Sequence, residues 1–280
     1  MHSDHDRQSG QPEEIWPWDR VLADATAPDH IVQLYQDPAF LSRAVCRFGC
    51  AALANGEGFL MASTRTHWNA FRPLLEAEGV DVEEAQESGQ LTVIDADDCL
   101  SSFMRDGMPD SDTFLGLAAD IVRQARAGGR YERVRWWGEM VNVLWERGNV
   151  EASMELEDLF DQYVAKGDNV AISCSFMMDN FDSETHGHML PRLGMNHSHL
   201  IPVEDYARLE RAVGDALREA VGPEEARILE GRLLSGYQQA FDMPRAEALL
   251  LALRQVRPTI ADPVLQRSGE LYAGSAAVSS

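Results

Sequence analysis

The chain has 280 residues, enough for one large domain or an ordinary domain with an appendage, and 45% hydrophobic with 25% charged residues is globular rather than fibrous composition. Its 24 Lys and Arg against 46 Asp and Glu leave a net charge of -22, which repels phosphate backbones and anionic bilayers and argues against direct nucleic-acid or membrane partners. No apolar run nears the roughly 20 residues of a spanning helix, MHSDHDRQSG has no secretory h-region, and Cys46, Cys50, Cys99 and Cys174 form no CxxC pair, so a cytoplasmic protein with reduced thiols is expected.

Residues 1–28 carry Gly10, Pro12, Pro17 and Pro28 among many charges and read as a mobile or loosely docked arm, although Trp16 and Trp18 need a surface to pack on. HIVQLY, from His30, has strand character. Asp37-Pro38 then supplies an N-cap and a proline at the first helical position. Phe40, Leu41, Ala44, Val45, Phe48 and Ala52 follow at helical spacing, and Asn55-Gly56 ends that helix. GFLMAST is a buried strand. A helix around Trp68, Phe71 and Leu75 follows, with Pro73 near its start or kinking it. QLTVIDA is the next strand. Asp112 is placed to cap a helix that runs to Gly128-Gly129.

RVRWWGEM and NVAISCSF repeat the strand pattern, each followed or preceded by helical spacing, and HSHLIPV is a further candidate strand. Strands alternating with helices predict an α/β fold: a mainly parallel sheet of about five strands covered on both faces, over residues 29–201. From Pro202 the strand signals vanish. Leu209, Val213, Ala216 and Leu217 form one helical stripe, Ile228, Leu229, Leu233 and Leu234 another, and Leu249 to Leu253 a third. Residues 202–262 are therefore expected to form about three helices for signalling or oligomerisation, with 263–280 as a tail. Three stripes exceed what a small appendage buries internally, which predicts self-association or docking on a partner.

Open parallel sheets bind ligands beyond the carboxyl ends of their strands. That places Ser63, Thr64 and Arg65, then Asp95 and Asp97, then Gly138 and Glu139, and then Cys174, Ser175 and Phe176 at candidate positions. A pocket there needs bulk and a few polar groups. Trp136 or Trp137, Met140 and Phe176 supply bulk; Ser63, Arg65 and Glu139 supply polarity, with His30 and Tyr35 nearby. Adjacent tryptophans on a strand point to opposite faces, so only one of the two enters such a pocket. Glu139 reads either as a first-turn acid favoured by the helix dipole or as a buried acid that orients a ligand and pairs with Arg65 when no ligand is present.

A phosphate loop requires glycines and a lysine, GxxxxGK[ST]. MASTRTHWNAF has neither, so ATP and GTP are expected to bind weakly or not at all. His186, His188, His197 and His199 are four of the chain's eight histidines. H-x-H…H-x-H is no standard structural-zinc pattern and lacks a nearby cysteine, so these four are expected not to hold a stoichiometric metal. Cys46 and Cys50 share an apolar helical face, and Cys174 has no basic neighbour in sequence. G-x-S-x-G, HExxH and GxGxxG are absent from the sequence.

The order of these pieces resembles the MEDS family, the sensory domain named for methanogens, methylotrophs and the DcmR repressor. The resemblance lies in HIVQLYQDPAFLSRAVCRFGCAALANGEGFLMAST, with its His30…Tyr35-x-Asp37 start and Gly56-Glu57, in Gly138-Glu139-Met140, in the helix with Glu155, Leu156 and Glu157, and in the strand ending at Cys174. It covers about residues 28–200. It implies a RecA/KaiC-like core without a working P-loop and a role in sensing small ligands, with hydrocarbon derivatives suggested. Unlike the named repressor, the chain shows no N-terminal helix-turn-helix and no histidine-kinase block. The expectation is a non-enzymatic sensory or regulatory protein in signal transduction or transcription regulation, without cofactor. A small-molecule ligand would be read out by a protein partner or homodimer through the C-terminal helices. An interaction scaffold without a ligand, and a metal-dependent enzyme built on the histidines, are the alternatives.

Overall fold

The computed structural model describes residues 17–236 and 242–274. Its centre is a six-stranded sheet in the order β3-β2-β6-β7-β1-β8, with every neighbouring pair parallel. The strands are β1 (His30–Tyr35), β2 (Gly58–Ser63), β3 (Leu91–Asp95), β6 (Val134–Gly138), β7 (Val170–Met177) and β8 (His199–Ile201). β4 (Met104–Arg105) and β5 (Met108–Pro109) form a small antiparallel hairpin outside it. The sheet thus has one strand more than the sequence count, because both HIVQLY and HSHLIPV join it.

Side-chain alternation divides each strand between two cores. One face carries Val32, Leu34, Leu60, Ala62, Trp136, Ile172, Cys174 and Phe176. It packs on α5 (Ala96–Phe103), α6 (Ser111–Ala125), α7 (Met140–Glu146) and α8 (Val150–Val164). The other carries Ile31, Tyr35, Phe59, Met61 and Trp137, covered by α1 (Trp18–Ala23), α2 (Pro38–Ala54), α3 (Arg65–Ala77) and α4 (Val82–Glu87). The adjacent tryptophans lie on opposite faces as the pleat demands.

Local signals set the ends of these elements. Asp37 caps α2 by accepting from the Ala39 amide, with Pro38 at the first turn. Asp110, rather than Asp112, caps α6 through the Thr113 amide. Pro73 lies inside α3, which nevertheless continues to Ala77. Gly49 lets α2 approach the sheet: a Cβ there would stand 2.3 Å from Phe59 Cε1.

The stretch from 17 to 28 is docked. Leu22 is buried in the second core, Trp18 meets Phe40 edge to face at 5.4 Å, and Arg135 donates to the Leu22 and Ala23 carbonyls. Arg135 also pairs with the buried Glu57 at 2.6 Å, which gives the Gly56-Glu57 pair a structural task. Trp16 and the rest of the proposed arm lie outside the described residues.

Among the described residues, four helices follow the sheet: α10 (Tyr206–Val221), α11 (Pro223–Gly236), α12 (Arg245–Val256) and α13 (Pro258–Gly274). α13 crosses the expected boundary at residue 262, so residues 263–274 are helical; residues 275–280 lie outside the described ones. The apolar stripes face one another. Leu209, Val213, Leu217, Leu229, Leu233, Leu249 and Leu253 form a third core with Val264 and Leu265. α12 also places Ala248 and Leu251 into the first core, together with Met243 just ahead of its start. Much of the apolar surface that argued for self-association is therefore covered within the chain, while Ile228 and Val256 remain exposed.

Candidate functional site

Connections diverge around β1. From β1 the chain moves three places along the sheet to β2, whereas from β7 it passes over β1 in the opposite direction to β8. Such a reversal opens a crevice at the carboxyl ends of the strands involved. The loop at this point is Gln36-Asp37, after β1, and not the loop after β2 on which the phosphate reading rested. It contains no glycine or lysine, and its aspartate occupies the helix start where a phosphate would sit.

At the carboxyl ends, on the face covered by α2 and α3, polar side chains collect in an otherwise apolar interior. Glu139 follows β6 and is 2% exposed. Its carboxylate accepts from the Thr64 amide and faces His67 Nδ1 at 2.5 Å. Glu139 makes no side-chain cap to its own helix α7; it ties the loop after β6 to the start of α3. The hydrogen bond to Glu139 is the main cause that raises the His67 pKa above the ordinary imidazole value, against the opposing effect of burial. His67 stacks on Phe71, which meets Trp137 edge to face.

Trp137 Nε1 donates to Ser175 Oγ, and Ser175 Oγ donates to Gln33 Oε1. Asn142 Nδ2 donates to the Tyr35 hydroxyl, and its Oδ1 accepts from the Met177 amide. Burial, reinforced by Glu139 and Glu146, raises the Tyr35 pKa, so its phenol stays protonated. Two buried polar atoms here have no hydrogen-bond partner among the described residues: Ser63 Oγ and Gln33 Nε2. Buried polar groups are normally paired, so each retains capacity for a further polar contact.

Of the eight residues expected to form the site, Tyr35, Ser63 and Glu139 are on or beside this face. Trp136, Met140 and Phe176 are buried on the opposite face. Trp137 therefore replaces Trp136, since the pleat turns only one of the pair toward His67. Arg65 is exposed at the start of α3, and Glu139 pairs with His67 instead. Asp95 caps α5 through the Asp97 and Asp98 amides.

His30 stands at the amino end of β1, on the first-core face. Its neighbours are Glu157, Cys174 and His197. The four histidines close in sequence are separated in space. His186 meets Glu247, His199 lies between Asp29 and Asp242, and His188 is exposed. Sequence spacing missed His67, Gln33 and Asn142 because their partners come from strands and helices distant in the chain. Ser175 is among the strand-end candidates and lies on this face.

Comparison with family models matches residues 29–190, more than half the chain, to MEDS, the MEthanogen/methylotroph, DcmR Sensory domain. Comparison with curated proteins finds no match. Among the described residues, no helix is long and apolar enough to cross a membrane.

Proposed function

The chain belongs to the MEDS family of sensory domains, and we propose that it binds a small, largely apolar molecule at the carboxyl ends of β1, β2, β6 and β7 and relays that event to a protein partner. The observation that carries this reading is the pair of buried, unpartnered polar atoms, Ser63 Oγ and Gln33 Nε2, on the same sheet face as the Trp137 and Phe71 rings. Apolar walls with a few polar groups are what a small-molecule site needs. Glu139 positions the site by holding the start of α3. The role is one of binding rather than catalysis.

The relay runs through the segment after β7. Asn180 donates to Glu247 of α12 at 2.8 Å, and His186 Nε2 lies 2.8 Å from the other oxygen of the same buried carboxylate. Leu200, in β8, donates to the Asp242 carbonyl just ahead of α12. A shift at the end of β7 thereby reaches α10 to α13, whose outer surface is the face offered to a regulatory partner.

A tryptophan-fluorescence titration of the full chain with short-chain alcohols, ketones and amides tests the binding step. A saturable change with at least one of them, lost in Ser63→Val and altered in Glu139→Gln while far-ultraviolet circular dichroism is unchanged, is expected. Identical curves in wild type and both variants would remove these residues from the site.

A further inference from the structure

On the opposite face of the sheet, four side chains with metal-binding chemistry converge where no part of the proposed ligand site reaches. His30 from β1, Glu157 from α8, Cys174 from β7 and His197, two residues before β8, are all buried. One donor atom from each lies within 4.8 Å of every other. Glu157 Oε2 is 3.4 Å from His30 Nε2 and 3.3 Å from His197 Nε2, and Cys174 Sγ is 3.6 Å from His30 Nε2.

Hydrogen bonding fixes which imidazole nitrogens face inward. His30 Nδ1 meets the Asn196 carbonyl at 2.8 Å, and His197 Nδ1 meets the Leu193 carbonyl at 2.7 Å. A carbonyl only accepts, so each Nδ1 carries the proton, and a neutral ring keeps its lone pair on Nε2. Two imidazole lone pairs, a carboxylate and a sulfur then face one another. Neither Glu157 oxygen, nor His197 Nε2, has a hydrogen-bond partner among the described residues. A buried carboxylate without a hydrogen-bond partner is costly.

We propose that His30, Glu157, Cys174 and His197 are the four ligands of one divalent transition-metal ion of the zinc type. The Glu157–His30, Glu157–His197 and Cys174–His30 separations agree with this assignment. Tetrahedral bonds of about 2.0–2.1 Å to nitrogen and oxygen and about 2.3 Å to sulfur separate N/O donors by about 3.3–3.4 Å and N/S donors by about 3.6 Å. The backbone carbonyls that hold both Nδ1 protons are the outer support such ligands require. The Asn196 side chain, which donates to Asp158 beside Glu157, fixes the same loop to α8. Four protein ligands leave no open coordination position, so the ion closes the structure by tying β1, β7, α8 and the approach to β8 together. Binding releases the Cys174 thiol proton, because the sulfur ligates as thiolate. The sequence reading denied a metal to His186, His188, His197 and His199 as a set; only His197 of those four belongs to this site.

The untagged full chain, prepared with added Zn²⁺ and desalted, is measured by elemental analysis, and chelator-treated chain is then titrated with Co²⁺. One zinc per chain is expected, together with tetrahedral cobalt bands and a near-ultraviolet thiolate-to-cobalt band. Cys174→Ser should remove the thiolate band, and His197→Gln should lower cobalt affinity at least tenfold. Wild-type protein answers the question even where a variant folds poorly. Less than a tenth of an equivalent of zinc, with no cobalt spectrum in excess Co²⁺, would overturn the site and leave a His–Glu pair sharing a proton. Cobalt spectra unchanged in folded Cys174→Ser and His197→Gln would overturn it too, by placing the metal elsewhere.

Discussion

His67 Nδ1 faces a Glu139 carboxylate oxygen at 2.5 Å, and Glu139 is buried while His67 is about a quarter exposed (side-chain relative exposures 3% and 26%). This contact raises the His67 pKa above 6.5, so in the folded chain the imidazolium survives to higher pH than in the unfolded one. A raised folded-state pKa contributes stability that is fully present below about 6.5 and is lost as pH rises through the folded value. The melting temperature should therefore fall as pH increases above 6.5. The fall should be shallower in His67→Asn, measured by calorimetry across that range. Parallel profiles for the two proteins would show that the pair contributes nothing.

Gly49→Ala tests the packing of α2 on the sheet. The added methyl would overlap the Phe59 ring, at 2.3 Å from Cε1, and Phe59 is fixed in the second core. Overpacking of this kind costs about 1–3 kcal/mol. Chemical denaturation should show a lower midpoint with an unchanged slope.

Arg135→Met removes one partner of a buried ion pair and the donor to the Leu22 and Ala23 carbonyls. Breaking such a pair costs about 3–5 kcal/mol, reduced here because Arg133 remains 3.2 Å from Glu57. The stretch ending at Ala23 should also become more susceptible to limited proteolysis, read by mass spectrometry of the fragments.

Mg²⁺-ATP should give no saturable heat by isothermal titration at micromolar protein. The loop at the crevice presents Asp37 and Pro38 where backbone amides and a lysine would be needed. Micromolar affinity would contradict this.

Truncation after Ile201 should yield an aggregating or markedly less stable chain. It removes Met243, Ala248 and Leu251 from the first core and Glu247 from Asn180 and His186. Light scattering and thermal melting of the truncated and full chains check this. Equal solubility and melting temperature would mean that residues before 202 fold as an independent unit.

The sequence by itself determined the elements. Period-two and period-3.6 apolar spacing, Asp37-Pro38, Asn55-Gly56 and the adjacent tryptophans are local signals, because secondary structure is set by neighbours in the chain. They gave the parallel α/β sheet, the helical C-terminal region and the positions of Tyr35, Ser63 and Glu139 at strand ends. The tertiary structure decided which residues meet. Glu139 chose His67 over Arg65, Trp137 rather than Trp136 faces α3, and α12 entered the main core. His30, Glu157, Cys174 and His197 are 167 positions apart at their extremes, yet their donor atoms gather within 4.8 Å. No spacing rule within one element can show that, because strand order and crossover direction, not sequence distance, set which ends of the chain become neighbours.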